Sequence, residues 1–189
     1  MPRTPRALPT GLALSALLSI GCGVDPLVDA EMGDAPRCVE VDRWPAASAE
    51  AEDELLDAID ALRQGGAECG GEALDGVGPL ELQPELHCAA RLHAGDLIRH
   101  PELEVDHAGS DGSTPLSRAN AADYDGIARQ ELLAGDFRDA DALVSAWLDS
   151  EPHCRALLDD TLGHVGIAQA QTRRGDRIVW VVVTGQERR

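Results

Sequence analysis

The sequence predicts an α+β fold in which a sheet lies between two helical layers, a three-layer α-β-α sandwich. Two observations carry this. The run Ile178-Val179-Trp180-Val181-Val182-Val183 is apolar without interruption, as expected of a strand covered on both faces. Upstream of it lie several amphipathic helical segments that supply the covers. The chain has 189 residues, and its mature part is of a size for one domain.

The N-terminus reads as a leader. Arg3 and Arg6 precede an apolar run from Leu12 to Ile20, far short of the roughly 18–20 residues that span a bilayer. The run closes on Ser19-Ile20-Gly21-Cys22-Gly23, small residues around a cysteine as in a lipoprotein signal. Residues 1–21 are therefore expected to be a signal peptide and Cys22 a lipid attachment site, with ordinary secretion as the alternative. Residues 22–50, punctuated by Pro, Asp and Gly and lacking apolar periodicity, read as a tether that a bridge at Cys38 would pin. The folded domain is expected over 51–189.

Within that domain, Leu55, Leu56, Ile59 and Leu62 fall at helical spacing between Glu52 and Gln64, and Gly65-Gly66 stops the helix. Gly70 to Gly78 reads as a loop. A second helix runs from Pro84 to about His100-Pro101. The small and polar stretch Asp106 to Ser113 suits turns that fix a side chain in place. A short helix is expected over Leu116–Ala122, an edge strand over Ile127–Leu133, and a helix over Asp139–Leu148 with acids in its first turn. The end of the chain reads as a hairpin, with strands from His164 to Gln171 and from Arg177 to Thr184.

Composition narrows the function. The formal net charge is −18, and all 16 basic side chains are arginine, because the sequence contains no lysine. Loss of the leader makes the remainder more acidic still. Such a surface repels nucleic acid and anionic head groups. No nucleic-acid partner is expected, and contact with a membrane is expected only through a lipid anchor. With Cys22 lipidated, Cys38, Cys69, Cys88 and Cys154 remain, and these four can pair in three ways in an oxidising compartment. None has the Cys-x-x-Cys spacing of a thiolate zinc site.

Several motifs, in order, make the chain from about 52 to 185 resemble the CAP (SCP) family of secreted proteins in its bacterial branch. They are Gly78-Pro79-Leu80, Asp106-His107 with Ser110-Asp111-Gly112-Ser113, Glu131, Trp147 followed by Ser150 and His153, and Val165-Gly166-Ile167. The resemblance implies the α-β-α sandwich with His107 and His153 converging in a central cleft beside Glu131 and Ser150. It also implies a bridge from Cys69 to Cys154, which leaves Cys38 to pair with Cys88. This chain departs from the family at Gln130 and Leu132 on either side of Glu131, and at Val182 and Thr184 in the last strand.

Two imidazoles and a carboxylate, His107, His153 and Glu131, are a donor set that holds zinc with one position open. Zinc is therefore the one cofactor suggested by the sequence. The same groups also suit a buried hydrogen-bonded network. Ser150 reads as an N-cap with Pro152 in the first turn, which would place His153 near a positive helix end and keep its ring neutral. No Gly-x-Ser-x-Gly turn accompanies Ser150, so a serine nucleophile is not expected. His93 and His100 read as exposed helix side chains, and His87 and His164 as unpartnered. The expected function is an exported, monomeric binding module of the cell envelope for a small apolar ligand or a protein partner; the alternative is a metal-dependent hydrolase using His107, Glu131 and His153.

Overall fold

The computed structural model describes residues 25–188; the expected signal peptide and Cys22 lie outside them. The central sheet has four strands in the order β5-β7-β8-β6, with β5 Glu81–Leu82, β6 Gly126–Gly135, β7 His164–Gln171 and β8 Ile178–Glu187. β5 runs parallel to β7, and the other two pairings are antiparallel. Alternation along β8 explains its unbroken apolar run. Ile178, Trp180 and Val182 enter one core with α1 (Ala46–Gly65), α4 (Ala140–Leu148) and α5 (Glu151–Leu157). Val179, Val181 and Val183 enter the other, under α2 (Pro84–Arg99) and α3 (Pro115–Ala121). The sheet is thus sandwiched as expected.

The α2 layer sits close because its contact residues are small. Ala89, Ala90 and Ala94 face Ala168 and Ala170. A Cβ on Gly166 would come within 2.0 Å of the Leu86 carbonyl carbon and 2.3 Å of the His87 nitrogen. Backbone cannot yield as a side chain can. Gly166→Val is therefore expected to destabilise by about 3 kcal/mol, the upper end of ordinary overpacking, read as a lower midpoint in urea unfolding.

The segment expected as a tether is instead part of the body. β1 (Leu27–Asp29) pairs antiparallel with β2 (Arg43–Pro45), a 3-10 turn spans Pro36–Glu40, and Cys38 is bonded to Cys88 of α2. Met32, Ala35, Cys38, Val41 and Trp44 are buried against α2. Their spacing is three, matching neither the helical nor the strand period, so periodicity did not reveal them. Trp44 also donates from Nε1 to the Gln169 carbonyl of β7 at 3.0 Å.

Two further boundaries move. α1 starts at Ala46 and not Glu52, because its first two turns bury the polar Ser48 and Glu52 where an apolar stripe would have signalled a helix. The expected loop at 70–78 starts inside a hairpin of β3 (Ala67–Cys69) and β4 (Glu72–Leu74). Gly70 and Gly71 form its two-residue turn with φ of +61° and +88°, which glycine adopts without steric cost. Cys69 of this hairpin is bonded to Cys154 of α5. Among the described residues no helix is long and apolar enough to cross a membrane.

Candidate functional site

The site is built where α2, α3 and β6 meet. β6 carries a register shift between Ala128 and Gln130, after which Glu131 lies opposite Val183. A bulge of this kind re-aims the side chains that follow it. Leu132 enters the α1 core, so Glu131 points to the α2 side, where its side chain is only 1% exposed. Both its oxygens are engaged. His107 donates from Nδ1 to Oε1 at 2.9 Å, and Arg118 of α3 donates from Nη2 to Oε2 at 2.7 Å.

Arg118 is 3% exposed and does more than neutralise Glu131. It also donates to the His107 carbonyl at 3.0 Å and to the Ser113 carbonyl at 3.0 Å, fixing both ends of the 107–113 turn. Thr114 and Ser117 cap its helix reciprocally, and Pro115 starts it. Asp96 of α2 holds the middle of the turn by accepting from the Ser110 N–H and hydroxyl, both at 2.7 Å. Burial pushes Asp96 up, but the two Ser110 bonds, with His100 and Arg99 nearby, outweigh it and hold the carboxyl below its usual range.

His93 is the residue that the sequence placed on a solvated face, and the structure corrects this. It is 1% exposed and donates from Nε2 to the Asp106 carbonyl at 2.8 Å, with Glu131 Oε1 3.8 Å away. Its Nδ1 and Arg118 Nε are the buried side-chain nitrogens left without a partner among the described residues. Burial, then the charge of Arg118, lowers the His93 pKa against the opposing pull of Glu131, the Asp106 carbonyl and Asp96. The unfolded chain takes up this proton as pH falls through about 6.5, and the folded chain does not. Stability conferred by neutral His93 is therefore complete above about pH 6.5 and declines as pH falls below it. His93→Gln, which keeps a donor for Asp106, is expected to flatten the fall in unfolding free energy between pH 7.5 and pH 5 in urea titrations.

His107 is held by its backbone and by Nδ1, while its side chain stays 59% exposed. The contact with Glu131 fixes Nδ1 as the donor and leaves Nε2 without a partner among the described residues. His153 lies in the first turn of α5, its ring 6.5 Å from that of Trp147 and tilted by 49°. Burial first, then the charge of His107, lowers its pKa, so the neutral ring expected from a helix end has a different main cause. Ser150 occupies the N-cap position but its side chain makes no capping bond. Glu151 is turned outward to Arg155 at 2.9 Å, and Arg155 also reaches Glu72 at 2.8 Å.

The donor set does not fit a three-ligand zinc centre. Glu131 faces a guanidinium and an imidazole N–H, and among the described residues no group of three or more His, Cys, Asp or Glu is arranged to hold a metal ion. The structure joins His107 to Glu131 and brings in Arg118 and His93, which the sequence did not single out. His87 and His164 also have partners: Glu52 at 3.1 Å and the Tyr124 hydroxyl at 2.7 Å. Burial, with Glu85 and Glu187, pushes Tyr124 up to about 12, so its hydroxyl stays protonated between His164 Nδ1 and the Gln186 carbonyl.

Beside this network lies a groove of about 230 Å³ walled by His107, Pro115, Leu116, Ala128 and Val183. Leu116 is 56% exposed there.

Known proteins share this fold. Two solved structures are similar in fold: an outer surface protein from Borrelia burgdorferi has a TM-score of 0.59 and 24% identity, over 74% of this chain and 94% of that one. An extracellular protein containing a SCP domain from Bacillus anthracis has a TM-score of 0.60 and 16% identity, over 74% of this chain and 41% of that one. No curated protein sequence matches the chain. The profile of the cysteine-rich secretory protein family matches residues 56–184, so the chain belongs to this family, known as CAP.

Proposed function

We propose that this chain is an exported binding module of the cell envelope, and that the groove beside His107 takes a small apolar ligand. The observation that carries this is the engagement of Glu131: with one oxygen bonded to His107, the other to Arg118 and the side chain 1% exposed, the carboxylate serves to orient a loop. What the groove offers a ligand is the apolar surface of Leu116, Pro115, Ala128 and Val183, with His107, Thr114, Arg129, Gln130 and Glu131 as the polar part of the same wall. Export is supported by the two disulfides, by the leader sequence and by the outer-surface and extracellular character of the proteins similar in fold. Lipid attachment at Cys22 and a monomeric state belong to the same proposal.

The test uses n-hexanol as the probe and the methyl resonances of Leu116 as the reporter. Saturable shifts that persist in His107→Ala and weaken at least threefold in Leu116→Ser are expected. Protein purified without chelator or histidine tag is expected to carry less than stoichiometric zinc. Stoichiometric zinc, together with a hydrolytic activity lost in His107→Ala, would overturn the binding reading in favour of a metal-dependent hydrolase using His107, Glu131 and His153.

A further inference from the structure

Away from this groove, a second cavity of about 310 Å³ lies between residues 28–31, α1 and the start of α2. Its lining contains the buried side chains of Glu52, His87 and Arg91. Glu52 is fully spoken for. Its Oε2 accepts from Arg91 Nη2 at 2.5 Å, from Arg91 Nε at 3.1 Å and from His87 Nε2 at 3.1 Å, and its Oε1 accepts from the Gln169 N–H at 2.9 Å. Arg91 is satisfied in turn by Glu52, by the Val41 carbonyl at 3.3 Å and by the Trp44 ring, whose centroid is 5.1 Å away.

His87 is the exception. Donation from Nε2 to the carboxylate leaves its Nδ1 as a lone pair, and no described residue donates to it. The residue is 6% exposed, and it lines the cavity. The cavity therefore presents a fixed acceptor that lacks a donor. Around it the charge is negative: Arg91 balances Glu52, Arg43 stands 3.6 Å from Asp29, and Glu31 and Asp53 have no ion-pair partner among the described residues. Val28, Leu82 and Pro84 complete the wall with apolar surface.

We propose that this cavity binds an alkylammonium group, whose N–H donates to His87 Nδ1, whose charge faces Glu31 and Asp53, and whose alkyl chain lies along Val28, Leu82 and Pro84. A divalent cation meets the charge but not the geometry, since the described residues contain no three-ligand cluster. The site is independent of the groove at His107. The ammonium comes either from a free amine or from a lysine side chain of another protein, since this chain has no lysine.

Titration of the full mature protein with n-butylammonium, followed by the His87 ring resonances, tests this. Saturable shifts are expected, with n-butanol giving none, and Glu31→Gln/Asp53→Asn, both at exposed positions, weakening binding at least fivefold. The blocked lysine N-acetyl-lysine-methylamide separates the sources. Equal or tighter binding than butylammonium assigns the site to a protein lysine, and weaker binding assigns it to a free amine. Absence of a saturable shift with both amines, an equal shift with n-butanol, or full binding by the double variant would overturn the proposal.

Discussion

Replacing Arg63 by methionine is expected to lower the unfolding free energy by about 3–5 kcal/mol, the range for breaking a buried charged group away from its partners. Arg63 of α1 is 1% exposed and its guanidinium faces carbonyls: Leu157 at 2.6 Å, Gly78 at 2.7 Å, and Asp159 and Leu162 each at 3.2 Å. Methionine fills a similar volume, so the loss isolates hydrogen bonding from packing. Four carbonyls would lose their donor, and those of Leu157 and Leu162 lie in buried positions. Desolvation lowers the Arg63 pKa, partly offset by Asp60, Asp159 and Asp160, so the charge is held at a cost that only these bonds repay. Arg63→Lys is expected to recover part of the stability, because one ammonium can serve some but not all of the four oxygens. Urea unfolding of the three proteins checks the order; a methionine variant within 1 kcal/mol of wild type would refute it.

The second large effect belongs to Cys69–Cys154. The bridge spans 85 residues of sequence, for which chain entropy predicts a contribution of about 4–5 kcal/mol. Cys69→Ser/Cys154→Ser is expected to lose most of that. The loss should also be local. Cys154 follows His153 directly, and the bridge joins the β3–β4 hairpin to α5 in a small cluster with Leu158. Hydrogen exchange is expected to rise over residues 67–74 and 151–158 before it rises in β7 and β8. Equal acceleration in the central strands would refute a local role.

The sheet and its covers were legible because burial there is simple: every residue of the β8 run faces one apolar layer or the other, and α2 shows its small inner face openly. His107 and Glu131 were legible through short motifs. Their partners were not. Arg118 and His93 are buried polar residues whose sequence neighbourhood looks like any solvated helix, and what buries them is a partner brought in by the tertiary fold. Arg63 and Glu52 were hidden for the same reason. A charge in a sequence reads as surface until the fold supplies its counterpart. Ser150 shows the converse: the residue type and position of a cap are present, but its hydroxyl does not take up the bond.

The packed N-terminal segment changes how far the domain can travel. A free chain over residues 22–50 would allow an excursion of up to ~100 Å from a lipid on Cys22. With strand pairing beginning at Leu27 and burial at Met32, only a few residues remain between such an anchor and the folded body, a leash of ~15 Å. Were Cys22 lipidated, a domain so held would graze the lipid surface and meet what is embedded in or adsorbed to it, with little reach toward anything farther out.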